Sequence, residues 1–268
     1  MRPGSAAERV DQLRELLLDA GLADRVRVGA SSPPPEATPS SKTHRTLERT
    51  NGTTPGAEEA FSPDALLRPT CLEGRLIELG GELSSGRTAL AYRLAALASA
   101  RRELVGWVDL PYALDPRYLQ RAGARLEDVL WVQPPDLPAA LRAGELLIKT
   151  GFALVVLDLE GAPERELAQL GASVWTRLGR ALREGRATAL LLGTQGAAGA
   201  FATLGVRVER ERALFDAGLF EGLASRLEVL RRRSGPPGAD LHFSVCHRPG
   251  AAARAHTAEA RTSAATSA

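Results

Sequence analysis

Gly81-Glu-Leu-Ser-Ser-Gly-Arg-Thr88 is the stretch on which the fold turns. It matches the phosphate-gripping pattern G-x-x-x-x-G-K-[ST] at every defined position but one, where Arg87 stands for the lysine. Arg75-Leu-Ile-Glu-Leu-Gly80 before it has the apolar content of a strand, and Arg87 to Ala100 after it reads as a helix. A strand–turn–helix joint of this kind aims backbone N–H groups and the positive end of a helix dipole at an anion. Gly81 and Gly86 let the chain turn, and Thr88 is placed to ligate Mg²⁺. Arg87 is not a substitute for lysine, because a planar guanidinium is bulkier than the compact ammonium that such a loop wraps. The expectation is that Arg87 turns outward into a salt bridge and that the turn survives as a joint between strand and helix.

Working outward, strand and helix signals alternate. Strands are expected at 104–109, 129–133, 153–158 and 187–193, with helices at 116–122, 137–150 and 164–184. That alternation predicts an α/β fold, a P-loop core with a mostly parallel sheet flanked by helices on both faces. Shorter strand-like pieces at 204–209, 225–230 and 240–246 follow, separated by turn residues including Ser234-Gly-Pro-Pro-Gly238, and predict antiparallel strands along one edge. The core is taken as 67–248. Before it, 1–29 reads as an arm carrying an amphipathic helix, with a Ser5-x-x-Glu8 capping box and Val10, Leu13 and Leu17 on one face. Residues 30–66 are rich in Pro, Ser, Thr and Gly, a composition too polar to offset the entropy of ordering, and read as a disordered linker. Residues 249–268 read as a disordered tail.

Composition narrows the function. The chain has 268 residues, 44% of them apolar, a length and content that suit one sizeable core. The net charge of +2 shows no overall nucleic-acid footprint. Lys42 and Lys149 are the only lysines, a bias that reflects genome composition more than chemistry. Cys71 and Cys246 stand far apart, outside any Cys-x-x-Cys pattern, which fits a reducing cytoplasm and no metal site. The histidines offer no ligand spacing either, and Trp107, Trp131 and Trp175 sit in apolar elements as core residues. No apolar run approaches the roughly 20 residues needed to cross a bilayer.

Two further residues join the turn as candidate nucleotide ligands. Phe152-Ala-Leu-Val-Val-Leu-Asp158 ends a strand in an acid, as a metal-binding aspartate of the Walker-B type would. Leu190-Leu-Leu-Gly-Thr-Gln195 ends one in an amide that could sense a γ-phosphate, although an ordinary strand-end residue accounts for Gln195 equally well. Gly81, Gly86, Arg87, Thr88, Asp158 and Gln195 are thus read as a vestigial nucleotide site with no catalytic residue.

The runs Gly80 to Leu90, Val108-Asp-Leu-Pro-Tyr-Ala-Leu-Asp-Pro116 and Leu130-Trp-Val-Gln-Pro-Pro-Asp136 resemble, in order and spacing, successive parts of the bacterial RecA recombinase core over about 70–233. The resemblance implies ATP–Mg²⁺ chemistry and DNA contact, and the chain departs from it three times. Arg87 replaces the lysine, Pro111 stands where the resemblance places the glutamate that activates water, and the two DNA-binding loops, after Asp158 and after Gln195, look shortened. A RecA-type core with a degenerate turn, a flexible arm and an arginine-rich composition is similar to the ImuA group, with the SulA-like cell-division inhibitors as a neighbouring pattern. That likeness implies a non-catalytic adaptor in damage-induced mutagenesis and translesion synthesis. It implies ImuB as partner, RecA and self-association as further contacts, and no cofactor, so that any ATP–Mg²⁺ bound is not hydrolysed. Two alternatives stay open. One is a slow ATPase in which Glu160 activates water. The other is a DNA-binding paralogue using Arg207, Arg210, Arg212 and Arg231 to Arg233, although Glu209, Glu211 and Glu228 in the same stretch would blunt the field.

Overall fold

The computed structural model describes residues 26–28, 74–193, 196–216, 219–233 and 240–246. The expected arm helix, the linker, the tail, Gln195, Cys71 and the turn at 234–238 lie outside the described residues. Nine strands form one sheet: β1 (Val26–Val28), β2 (Arg75–Gly80), β3 (Val105–Asp109), β4 (Val129–Val132), β5 (Leu154–Asp158), β6 (Thr188–Gly193), β7 (Leu204–Asp216), β8 (Leu219–Arg232) and β9 (Asp240–Cys246). Their spatial order is β1-β4-β3-β5-β6-β2-β7-β8-β9. The six strands from β4 to β7 in that order run parallel. Antiparallel strands extend both edges, with β1 on β4 at one side and β8 and β9 beyond β7 at the other. Only the second of these edges is expected from the sequence.

The helices are α1 (Arg87–Ala100), α2 (Pro116–Arg121), α3 (Leu137–Lys149), α4 (Glu164–Ala168) and α5 (Ala172–Gly185). Alternate residues of each strand face opposite sides of the sheet, so the molecule has two cores. Ile77, Leu79, Trp107, Val156 and Leu190 pack with α1 and α2. Val108, Val155, Leu157 and Leu191 pack with α3 and α5. Because α1 is buried on most of its circumference, small residues at Ala91, Ala95 and Ala98 let it lie close to the sheet. Asp115 and Asp136 start α2 and α3 by accepting the N–H groups of Arg117 and Ala139 at 2.9 and 2.7 Å.

Two expectations are corrected. The helix expected over 164–184 is two helices, because Gly171 is extended, with ψ of 153°, and restarts the chain as α5. The pieces expected at 204–209 and 225–230 are the inner halves of a far longer β7–β8 ribbon. Register shifts at Gly205/Val206, Arg210/Arg212 and Leu214/Phe215 break the two-residue apolar alternation by which a strand is read. Among the described residues, no helix is long and apolar enough to cross a membrane.

Candidate functional site: a closed turn at the carboxyl edge of the sheet

The carboxyl ends of β2, β3, β5 and β6 meet at one edge, where open α/β sheets bind ligands. Gly80 pairs with Gly193, and Asp109 with Asp158. The turn from Gly81 to Thr88 rises from this edge into α1. A Cβ on Gly81 would lie 2.4 Å from the Val208 carbonyl oxygen and 2.9 Å from Ser85 Oγ, so β7 passes directly over the turn. Gly86 takes a left-handed conformation, φ 97°, as the residue that enters α1. From the far side Ser225 of β8, fully buried, donates its hydroxyl to the Ser85 carbonyl at 2.7 Å. The packing of the antiparallel ribbon therefore requires glycine at 81, and the left-handed entry to α1 favours it at 86.

Arg87 corrects the sequence expectation. It does not turn outward: it is 5% exposed and points across the sheet edge. Nη1 donates to the carbonyls of Gly81 at 2.5 Å and Gly193 at 3.1 Å, and Nη2 pairs with the carboxylate of Glu160. One guanidinium thus ties the ends of β2 and β6 to the loop after β5, which its spread of donors allows and a lysine ammonium would not. Thr88 is half-buried as the second residue of α1 and borders a cavity of about 410 Å³.

Two buried acids end β3 and β5 at this edge. Asp109 is fully buried and accepts the N–H groups of Ala113 at 2.9 Å and Leu114 at 3.1 Å, and the indole N–H of Trp131 at 3.0 Å. It therefore organises the segment that carries Pro111. Pro111 itself packs against Gly161, where a Cβ would come within 3.1 Å of its Cα. Asp158, 3% exposed, accepts the Glu160 N–H at 3.3 Å. Burial, with the negative charges of Asp109 and Glu160 nearby, pushes its carboxyl up to about 7, against the opposing pull of that hydrogen bond and of Arg87. Asp109 and Ser225 were given no role from the sequence, since their partners are backbone groups and an indole on other strands. Trp107 and Trp175 are core residues as expected, whereas Trp131 is half-buried and holds Asp109.

The 410 Å³ cavity and a second of about 720 Å³ share Glu82, Leu83, Ser85, Arg87 and Glu160 as a common wall. The first also meets Asp115 and Tyr118, the second Glu164, Arg207 and Glu209. The surroundings hold more acids than bases, and two of their three arginines are committed, Arg87 to Glu160 and Arg207 to Glu228 at 3.0 Å across the β7–β8 ribbon, while Arg210 also lines the larger cavity. Arg226 and Glu209 form the next rung at 2.7 Å, so these two ribbon arginines face carboxylates. Among the described residues, no group of three or more His, Cys, Asp or Glu could hold a metal ion.

With this arrangement in view, comparison with known proteins is specific about the core. Residues 65–173 match the RecA N-terminal domain. The core is a RecA-like domain. Over 84 residues it is 40% identical to Protein RecA of Thermus thermophilus, a match covering 31% of this chain and 25% of that protein. Protein RecA 2 of Myxococcus xanthus is 38% identical over 98 residues, or 35% of this chain and 27% of the relative. Protein RecA of Streptomyces ambofaciens is 26% identical over 209 residues, covering 66% of this chain and 56% of its own length. The chain therefore spans from a quarter to just over half of the curated relatives it matches. The matched 65–173 region of the RecA-like domain contains the turn, Asp109, Asp158 and Glu160, whereas β6 and the ribbon lie beyond it.

Proposed function

We propose that this chain is a RecA-like adaptor that acts through protein contacts and does not turn ATP over, working in translesion synthesis in the manner implied by its resemblance to the ImuA group. The observation that carries the reading is the triple attachment of Arg87 to the Gly81 carbonyl, the Gly193 carbonyl and Glu160. The cation that would meet the phosphates is already neutralised, and the nearby carboxylates of Glu82, Asp115 and Glu164 repel a polyphosphate. Pro111 has no proton-accepting group for the hydrolytic role that the resemblance assigns to its position. The expected partners are ImuB, a polymerase-like protein, and RecA.

The end of the β7–β8 ribbon supports a contact role. Phe215, Leu219 and Phe220 are 65%, 73% and 50% exposed, with the two phenyl rings edge to face at 5.8 Å. Apolar side chains grouped at a projecting end mark a contact surface. The DNA-binding alternative loses support at Arg207, which the Arg207–Glu228 rung pairs with an acid.

A pull-down of the full chain against ImuB and RecA tests the reading, together with versions lacking residues 1–30 or 249–268. Capture of ImuB by the full chain is the expected result, and its loss with one truncation would locate the contact. Failure of the full chain to capture either protein would contradict the adaptor role.

A further inference from the structure

The Gly81–Thr88 turn keeps most of the groups that would hold an anion. Helix α1 runs for fourteen residues, begins without a side-chain cap and has no acid in its first turn, so its positive end lacks a partner of its own. Ser85, which lies in the turn, is 3% exposed, and its hydroxyl has no hydrogen-bond partner. It borders both cavities. A buried hydroxyl without a partner costs free energy and marks a place where a ligand atom fits. What stands at the turn is the chain's own anion: the carboxylate of Glu160, carried on the loop after β5 and paired with Arg87 Nη2.

We propose that Glu160 is an internal anion that holds the Gly81–Thr88 turn closed, and that withdrawing its carboxylate from Arg87 opens a site for a small polyphosphate. The inference rests on the adaptor reading above and adds to it a residue on which closure depends. Two neutral carbonyls, Gly81 and Gly193, orient the Arg87 guanidinium but cannot neutralise it. A cation only 5% exposed needs a counter-anion, because leaving it unpaired costs several kcal/mol. Glu160 meets that need, and its side chain is 32% exposed, so it can leave without disturbing the core. The pair also belongs to the wall shared by the two cavities, and its opening would join them. A phosphate group arriving after the Glu160 carboxylate swung away would find Arg87, the Ser85 hydroxyl and the start of α1 within one enclosure.

The test is calorimetric titration of the full chain with inorganic pyrophosphate, without Mg²⁺ and at low salt, on the wild type, Glu160→Gln and Glu166→Gln. Gln keeps the size of Glu160 and can still accept from Arg87. Glu166 is exposed on α4, so its substitution removes the same charge away from the turn. Glu160→Gln is expected to bind at least about tenfold more tightly than wild type, a change equal to the removal of one opposing charge near the ligand. Glu166→Gln is expected to match wild type, and adding Arg87→Ala to Glu160→Gln is expected to abolish the gain. Melting curves confirm that each protein is folded, and Glu160→Ala, read the same way, replaces the Gln variant if that fails to fold. No gain in either Glu160 variant, or an equal gain in Glu166→Gln, overturns the proposal. Either result leaves the adaptor reading standing, since that reading fails on ATP turnover by the wild type instead.

Discussion

Asp109 and Asp158 stand side by side at the carboxyl ends of neighbouring parallel strands, both buried, one held by three N–H donors and the other with its carboxyl pushed up to about 7. The asymmetry has a physical source. Asp109 is solvated by the chain itself, while Asp158 has one backbone donor and two acidic neighbours.

The pH dependence of stability follows from that shift. Between about pH 4 and 7 folded Asp158 keeps a proton that the unfolded chain has lost. Stability therefore falls as pH rises through this window, by something on the order of 4 kcal/mol when the shift is fully expressed. Glu78, which burial also pushes up, adds to the fall with the same sign. Asp158→Asn should unfold at higher urea than wild type at pH 8 and show no such advantage at pH 4. Urea melts at the two pH values check this.

Gly81→Ala should be strongly destabilising, because the added carbon meets the Val208 carbonyl oxygen at 2.4 Å, and backbone cannot yield as a flexible side chain would. A loss of about 2 kcal/mol or more is expected from equilibrium unfolding. A neutral result would mean that β7 does not lie over the turn.

Ser225→Ala removes the hydroxyl that holds the Ser85 carbonyl and should cost about 1–2 kcal/mol. Hydrogen exchange should quicken in residues 82–88 before it does in the parallel core. That local effect separates loss of the pin from general weakening of β8.

Phe215→Ser combined with Phe220→Ser should leave stability within about 1 kcal/mol of wild type, because both rings are at least half exposed. Capture of the protein partner should fall if the ribbon end is a contact surface. Unchanged capture would move the contact elsewhere.

The parallel centre of this fold was legible because each of its signals is local. The strand Arg75–Gly80, the glycines of the turn and the apolar run ending in Asp158 carry their meaning within a few residues. Two features defeated that kind of reading. The β7 and β8 strands were read too short because each bulge shifts the phase of the alternation, and β1 was missed because three residues are too few to show a period. The inward course of Arg87 was out of reach for another reason. Its acceptor at Gly193 is 106 residues away in sequence, and Glu160 is brought beside it only by the strand order β5-β6-β2. Spacing within the turn showed that Arg87 was unusual. Only topology showed what it holds.

The most direct measurement is ATP–Mg²⁺ binding and hydrolysis by the full chain, with and without single-stranded DNA, beside Asp158→Ala. The account expects no saturable binding in the micromolar range and no turnover above that of the variant. Micromolar binding with hydrolysis that Asp158→Ala abolishes would contradict it.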